Sequence, residues 1–219
     1  MYETKLVLLS CCAPCSVGAI RELIPLLRRG AAEGGGEGFT ANTGTLPVKF
    51  AAQICHPSDG GEFDFIVLFY NPNIFPESEY QKRLAEQIRL CDELGVKYAV
   101  AGADAYDKEH AAWRECVRGL EKEPERGKRC GECFKMRFAV GAKWAREHGY
   151  NALASVFGVS RHKSQAQVDR AAREITNNNE QITIEYIPIH WDENLRVSAN
   201  RESDFYRQKY CGCEFSMNN

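Results

Sequence analysis

The chain has 219 residues, 44% of them hydrophobic and 26% charged, enough to bury one sizeable core. A formal net charge of −2 excludes a broad basic field, so any nucleic-acid site must be a local patch. No apolar run approaches a membrane span and residues 6–9 are too short for a signal-peptide core, so a cytoplasmic protein with reduced thiols is expected. Ten cysteines in such a chain point to metal binding or redox chemistry rather than to disulfides.

Residues 5–9 predict a buried strand, and Cys11-Cys12-Ala13-Pro14-Cys15 the loop after it. Ser16 is expected to cap a helix running to about Arg28, with Val17, Ile20, Leu23, Ile24 and Leu27 on its apolar side. From Gly30 to Gly61 the periodicity disappears, and Gly34-Gly35-Gly36-Glu37-Gly38 reads as a flexible loop. Residues 30–61 are therefore read as an insertion in a single domain spanning 1–219, with a small ordered element around 48–54.

Residues 64–70 predict the second strand, followed by the proline-fixed loop 71–76. A helix over 77–94 would bury Tyr80, Leu84, Ile88, Cys91 and Leu94 and stop at Gly95. The third strand is expected at 97–101, then Gly102-Ala103-Asp104, and a helix over 108–120. Residues 121–129 read as a loop, and Cys130-Gly131-Glu132-Cys133 as the opening of a helix to His148. A fourth strand (151–157), a loop (158–163), a helix (165–176) and a fifth strand (182–188) follow. A last helix over 200–209 would lead into Cys211-Gly212-Cys213.

This alternation predicts an α/β fold with a mainly parallel five-stranded sheet and helices on both faces. Ligands in such folds sit beyond the carboxyl ends of the strands, where Cys11–Cys15, Asn71–Asn73, Gly102–Asp104 and the 158–163 loop all fall.

Seven cysteines form three groups: Cys11, Cys12 and Cys15; Cys130 and Cys133; Cys211 and Cys213. One CxxC is ambiguous between zinc, a redox dithiol and iron–sulfur. Three groups in one short chain outweigh scattered core cysteines, although free cysteine often packs as a small apolar residue. A structural zinc needs four ligands and a cubane cluster takes four cysteines, so a surplus remains for a second metal or a redox dithiol; two zinc sites would also use it. Cys130 and Cys133 at a helix N-terminus, beside Lys128 and Arg129, suit an anionic cluster. Cys91 and Cys116 are expected in the core, and Cys55 with His56 is weak evidence for a further metal site.

Longer motifs carry a resemblance. They are Cys11-Cys12-Ala13-Pro14-Cys15, Phe69-Tyr70-Asn71-Pro72-Asn73-Ile74, and Gly119-Leu120-Glu121 through Glu123-Pro124-Glu125-Arg126-Gly127. They continue in Arg129-Cys130-Gly131-Glu132-Cys133-Phe134 and in the run from Phe205 through Cys211-Gly212-Cys213 to Ser216. With these the sequence resembles the QueH-type epoxyqueuosine reductases. The resemblance implies a fold like the adenine-nucleotide α-hydrolases (HUP-like). It implies reduction of epoxyqueuosine to queuosine at the wobble position of tRNA, and a [4Fe-4S] cluster with a further iron or redox element beside it.

Cys11, Cys12, Cys130 and Cys133 are then expected to hold the cluster, and Cys15, Cys211 and Cys213 an adjacent mononuclear iron or a dithiol. Neighbouring residues of an extended chain point apart, so one of Cys11 and Cys12 could serve the second metal. Cys15 stands where the family carries aspartate or cysteine. Ser160-Arg161-His162-Lys163 lacks the proline of the family's Ser-Pro-Tyr/His-Lys. Asn71, Asn73, Arg129, Arg137 and Arg207 are candidate substrate contacts, with Arg126, Lys128, Lys135 and Lys209 beside them. Charge alone, with Glu121, Glu123, Glu125 and Glu132 interleaved, reads as a solvated face. Asp104 is a candidate proton donor or helix cap, and His162 and His190 fall on the rim. The expected partners are tRNA bearing epoxyqueuosine and an unidentified electron donor. The rivals are a zinc-binding RNA module and an ATP-dependent tRNA thiolase, which would need a Ser/Gly-rich pyrophosphate loop after the first strand.

Overall fold

β1, Thr4–Ser10, is the central strand. Leu6 to Leu9 are at most 1% exposed, as a strand covered on both faces requires. The computed structural model describes residues 3–30, 63–177, 184–189 and 204–217, so the 30–61 insertion beyond Gly30, Cys55, His56 and His190 lie outside the described residues. β2 (Phe63–Phe69) pairs with β1 from Thr4↔Phe63 to Ser10↔Phe69, and β4 (Ala152–Ser155) pairs on its other edge. β3 (Tyr98–Val100) flanks β2, and β5 (Glu185–Tyr186) flanks β4. The sheet is five-stranded and parallel in the order β3-β2-β1-β4-β5.

Among the described residues five α-helices accompany them: α1 (Ala13–Gly30), α2 (Glu77–Leu94), α3 (Tyr106–Cys116), α4 (Lys128–Glu147) and α5 (Gln165–Asn177). α1 packs beside α2, and α4 beside α5. Right-handed crossovers that move outward in opposite directions from β1 place these two pairs on opposite faces of the sheet. The order in which strands are added reverses between β1 and β4, which makes their carboxyl ends the switch point where such folds bind ligands. α4 approaches β1 closely: a Cβ on Gly141 would lie 2.8 Å from Leu9 Cδ2. Among the described residues no helix is long and apolar enough to cross a membrane.

Several expectations are corrected. Ser16 is not a cap; α1 already begins at Ala13. α3 covers Tyr106–Cys116, so Cys116 sits at its exposed end rather than in the core, with its thiol 3.8 Å from the Glu132 carbonyl. Gly127 flanks α4 at its start, so Cys130 lies in the first turn and Cys133 one turn further along. The buried stripe of α2 is Tyr80, Arg83, Gln87, Leu90 and Cys91, rotated from the expected one and partly polar. β5 has two described residues.

The largest departure is the expected helix over 200–209, since the described part, 204–209, is not helical. This tail lies against α2. Arg89 pairs with Asp204 at 3.0 Å and sits 4.4 Å from the centre of the Phe205 ring. The Tyr206 N–H is donated to Glu86 and its hydroxyl to Glu79, each at 3.0 Å. Phe205 is buried in the main core while Tyr206 serves α2. Consecutive residues used in different directions favour an extended chain, and tertiary contact overrides helical propensity.

Candidate metal centre

Cys11 and Cys12 occupy the two positions between β1 and α1, and Cys15 lies in the first turn of that helix. The three sulfur atoms lie within 4.8 Å of one another. A buried polar pin holds their loop from behind. Ser16 Oγ donates to the Cys12 carbonyl at 2.9 Å and lies 2.6 Å from Ser10 Oγ. Ser10 donates to Gln87 Oε1 at 2.5 Å, and Ser16 Oγ is 3.0 Å from the same atom. Asn71 Nδ2 donates to the Ser10 carbonyl at 2.9 Å, tying the exit of β2 to that of β1.

The trio shares its charge. Contacts from Cys12 and Cys15 hold the Cys11 thiol well below its ordinary range against the effect of burial, with Lys163 and Arg137 assisting. Cys11 in turn pushes Cys12 up to about 12 and raises Cys15. Lys163 is only 7% exposed, and its Nζ donates to Cys11 Sγ at 3.2 Å. Burial opposes its charge, yet the neighbouring Cys11 and Cys211 sulfur atoms lift its pKa.

A second sulfur group stands alongside. Cys133 and Cys213 are buried with Trp113 and Val117, and Cys211 packs against them. Cys130 receives the Arg126 N–H at 3.3 Å, and burial, with Cys211 and Cys133 nearby, pushes it up to about 11. Burial raises Cys133 also, opposed by the Arg137 charge and the Trp113 indole. The Cys211–Cys213 segment is held by a bridge between Cys213 and Ile74 and by the Phe75 N–H donating to the Gly212 carbonyl at 2.9 Å.

A cavity of 440 Å³ opens at the first group and reaches Cys211 of the second. Cys11, Cys12, Cys15 and Cys211 line it; Arg83, Arg161, Lys163 and Arg207 bring positive charge, and among the described residues no carboxylate lines it. The 160–163 loop is braced: Lys163 N–H donates to the Ser160 carbonyl at 3.0 Å, His162 Nδ1 lies 3.2 Å from Glu125, and Arg126 donates to the Arg161 carbonyl.

An all-cysteine set beside buried cations suits an iron–sulfur cluster. One orphaned group fits the same reading. The Trp113 indole N–H is fully buried beside Cys133 with no conventional acceptor, and a metal-bound sulfur would supply one.

Residues 52–219 match the family model described as epoxyqueuosine reductase QueH. The chain belongs to the QueH family. It is 32% identical to the epoxyqueuosine reductase QueH of Histophilus somni, over 98% of this chain and 73% of that protein. The QueH of Haemophilus influenzae is also 32% identical, over 98% of this chain and 72% of its own length. That of Acinetobacter baylyi is 32% identical over 97% and 80%. Among solved structures, the U34-tRNA thiolase NcsA from Methanococcus maripaludis with its [4Fe-4S] cluster superposes with a TM-score of 0.52 at 12% identity. The match covers 94% of this chain but 60% of that one, and it shows a shared fold.

In this QueH chain the sulfur atoms of Cys11, Cys12 and Cys15 lie together, and Cys130, Cys133, Cys211 and Cys213 form a second group near them. Arg129 and Arg137, expected at the substrate, are each 1% exposed. Arg129 donates to the carbonyls of Leu120, Glu121 and Glu123, and Arg137 to the Tyr70 carbonyl at 3.2 Å and to Asn71 Oδ1. Asn71 and Asn73 are buried too, with Asn73 Oδ1 unbonded. Arg207 lines the cavity. Asp104 does not; it is exposed in a separate depression with Glu77, Asp107 and Lys108, so it does not stand as proton donor. Lys128 and Lys209 are exposed, while Lys135 pairs with Glu174 at 2.8 Å. His162 reaches the cavity rim.

Arg161 and Lys163 were read only as part of the 160–163 loop, with no role assigned, and Arg83, Gln87 and Trp113 were not singled out by sequence reasoning. A usable signal existed on α2, where Glu79, Arg83, Glu86 and Arg89 recur at helical spacing.

Proposed function

We propose that this QueH-family chain is an epoxyqueuosine reductase that converts epoxyqueuosine in the tRNA anticodon to queuosine. The supporting observation is a cavity lined by both thiol sulfur and cationic side chains at the switch point of the sheet. Removing the epoxide oxygen as water consumes two electrons and two protons. When bound, a [4Fe-4S] cluster supplies electrons one at a time.

In this reading Cys11, Cys12, Cys130 and Cys133 hold the cluster. Cys15, Cys211 and Cys213 stand beside it as ligands of a mononuclear iron or as a dithiol. Lys163 keeps Cys11 as a thiolate through its 3.2 Å contact. A cavity of 440 Å³ suits one nucleoside turned out of a single-stranded loop. Arg161 and Arg207 meet the flanking phosphates, and the Tyr210 ring offers a stacking face. Electrons arrive from a donor still to be identified, and a cytoplasmic location, where thiols stay reduced, suits this chemistry.

A thiolase reading draws on the shared fold, but the turn after β1 carries Cys11–Cys15 in place of a pyrophosphate loop. A zinc module would be colourless and indifferent to air. The deciding experiment is anaerobic reconstitution, iron and sulfide analysis, and mass spectrometry of nucleosides from tRNA incubated with reductant. Loss of epoxyqueuosine with gain of queuosine is expected. Persistence of epoxyqueuosine with a fully loaded, reduced protein refutes the function.

A further inference from the structure

Arg83 projects from α2 and is 2% exposed. Its Nε pairs with Glu79 at 2.7 Å. Nη1 donates to the Cys211 carbonyl at 3.1 Å and Nη2 to the Tyr210 carbonyl at 3.4 Å. The guanidinium also lies 5.1 Å from the centre of the Tyr210 ring. Arg83 lines the cavity together with Cys11, Cys12 and Cys211. Burial opposes its charge, while the neighbouring Cys12, Glu79 and Cys11 favour it. Gly212 records how tightly the segment is held. It adopts φ 98°, and a Cβ there would lie 2.6 Å from Arg83 Nη1.

We propose that Arg83 is a positioning residue for the reductive centre: its forked N–H groups fix Cys211 beside the Cys11–Cys15 group, and its charge raises the reduction potential of the cluster. This rests on the iron–sulfur reading above. The fork is specific to arginine, because a lysine ammonium carries the charge but cannot span two successive carbonyls and a carboxylate from one plane. Burying a guanidinium is costly unless its donors are used, and here they are used on the segment that carries Cys211. A buried positive charge near a cluster favours the form with the extra electron. Glu79 offsets part of that charge while holding the Tyr206 hydroxyl at 3.0 Å. Arg83 therefore has two separable actions, a clamp and a field.

The test uses the anaerobically reconstituted full chain, with midpoint potential by redox titration under electron paramagnetic resonance and hydrogen–deuterium exchange over 204–213. Arg83→Gln is expected to move the potential to a more negative value and to remove amide protection around Cys211. Arg83→Lys should hold the potential near that of the parent while losing the same protection. Glu79→Gln should move the potential the opposite way, to a more positive value, and does not depend on the Arg83 variants folding. Equal losses of thermal stability in all three, with unchanged potentials, overturn the field. Retained protection in Arg83→Lys overturns the clamp. If the parent chain binds no iron and sulfide, the iron–sulfur reading itself falls and takes the field with it; if it loads normally and the potentials do not move, only the inference falls.

Discussion

Replacing Gln87 with leucine tests the pin beneath the metal centre. Gln87 is 1% exposed, and Ser10 and Ser16 behind the Cys11–Cys15 loop are 0% exposed. The substitution is close in volume, so little cavity is left. It removes the Gln87 acceptor for Ser10 and the 3.5 Å contact from Gln87 Nε2 to Cys91 Sγ. Ser16 keeps the Cys12 carbonyl, whereas the Ser10 hydroxyl can turn only to Ser16. One buried hydroxyl left short of a partner costs about 1–3 kcal/mol, so a loss of about 2 kcal/mol is expected. That is a large part of the ~5–15 kcal/mol available to a folded domain. Urea unfolding of the metal-free chain, read as the midpoint at constant slope, measures it. Adding Ser10→Ala to Gln87→Leu should recover about half, on the order of 1 kcal/mol, because the stranded hydroxyl is gone. A loss in Gln87→Leu below about 0.5 kcal/mol, the usual range for surface changes, or no recovery in the double variant, refutes the pin.

Gly141→Ala gains about 1 kcal/mol of helix propensity but forces a Cβ to 2.8 Å from Leu9 Cδ2, and an overpacking cost of about 1–3 kcal/mol should leave it less stable in the same unfolding assay. Burial pushes the Cys91 thiol up to about 11, so the folded chain holds that proton after the unfolded chain has released it. The stability this contributes is full below the unfolded thiol value and is lost as pH rises through 11; unfolding at stepped pH should show a steeper alkaline decline in the parent than in Cys91→Ala. For RNA, Arg161→Ala should weaken binding of an anticodon stem-loop and reduce the salt slope by about 1, as loss of one phosphate contact does. Arg129→Met should leave that slope unchanged while destabilising the fold, because its donors are spent on the carbonyls of Leu120, Glu121 and Glu123.

The contrast between those two arginines shows where sequence reasoning stops. The mainly parallel five-stranded sheet and the placement of Cys11–Cys15 at the end of its first strand were legible, because apolar runs alternating with amphipathic helices leave few ways to wind a parallel sheet. Arg129 and Arg161 were not separable, since a guanidinium offers the same five donors to buried carbonyls and to phosphates, and only the surrounding chain decides which it meets. The same ambiguity hid the tail. Residues 204–209 carry a pattern compatible with a helix, and Glu79, Arg83, Glu86 and Arg89 one compatible with a solvated face. Each partner supplies what the other lacks: α2 offers carboxylates and guanidinium groups, while the tail offers the Tyr206 N–H and hydroxyl, the Asp204 carboxylate and the carbonyls of Tyr210 and Cys211. Helical spacing on α2 thus becomes a ruler for an extended strand of chain, and the CxC motif is delivered to the metal centre by charges that look like surface. A stripe of alternating charge on a helix, followed far along the chain by tyrosines leading into a cysteine pair, is the signal that would have exposed this docking before any coordinates existed.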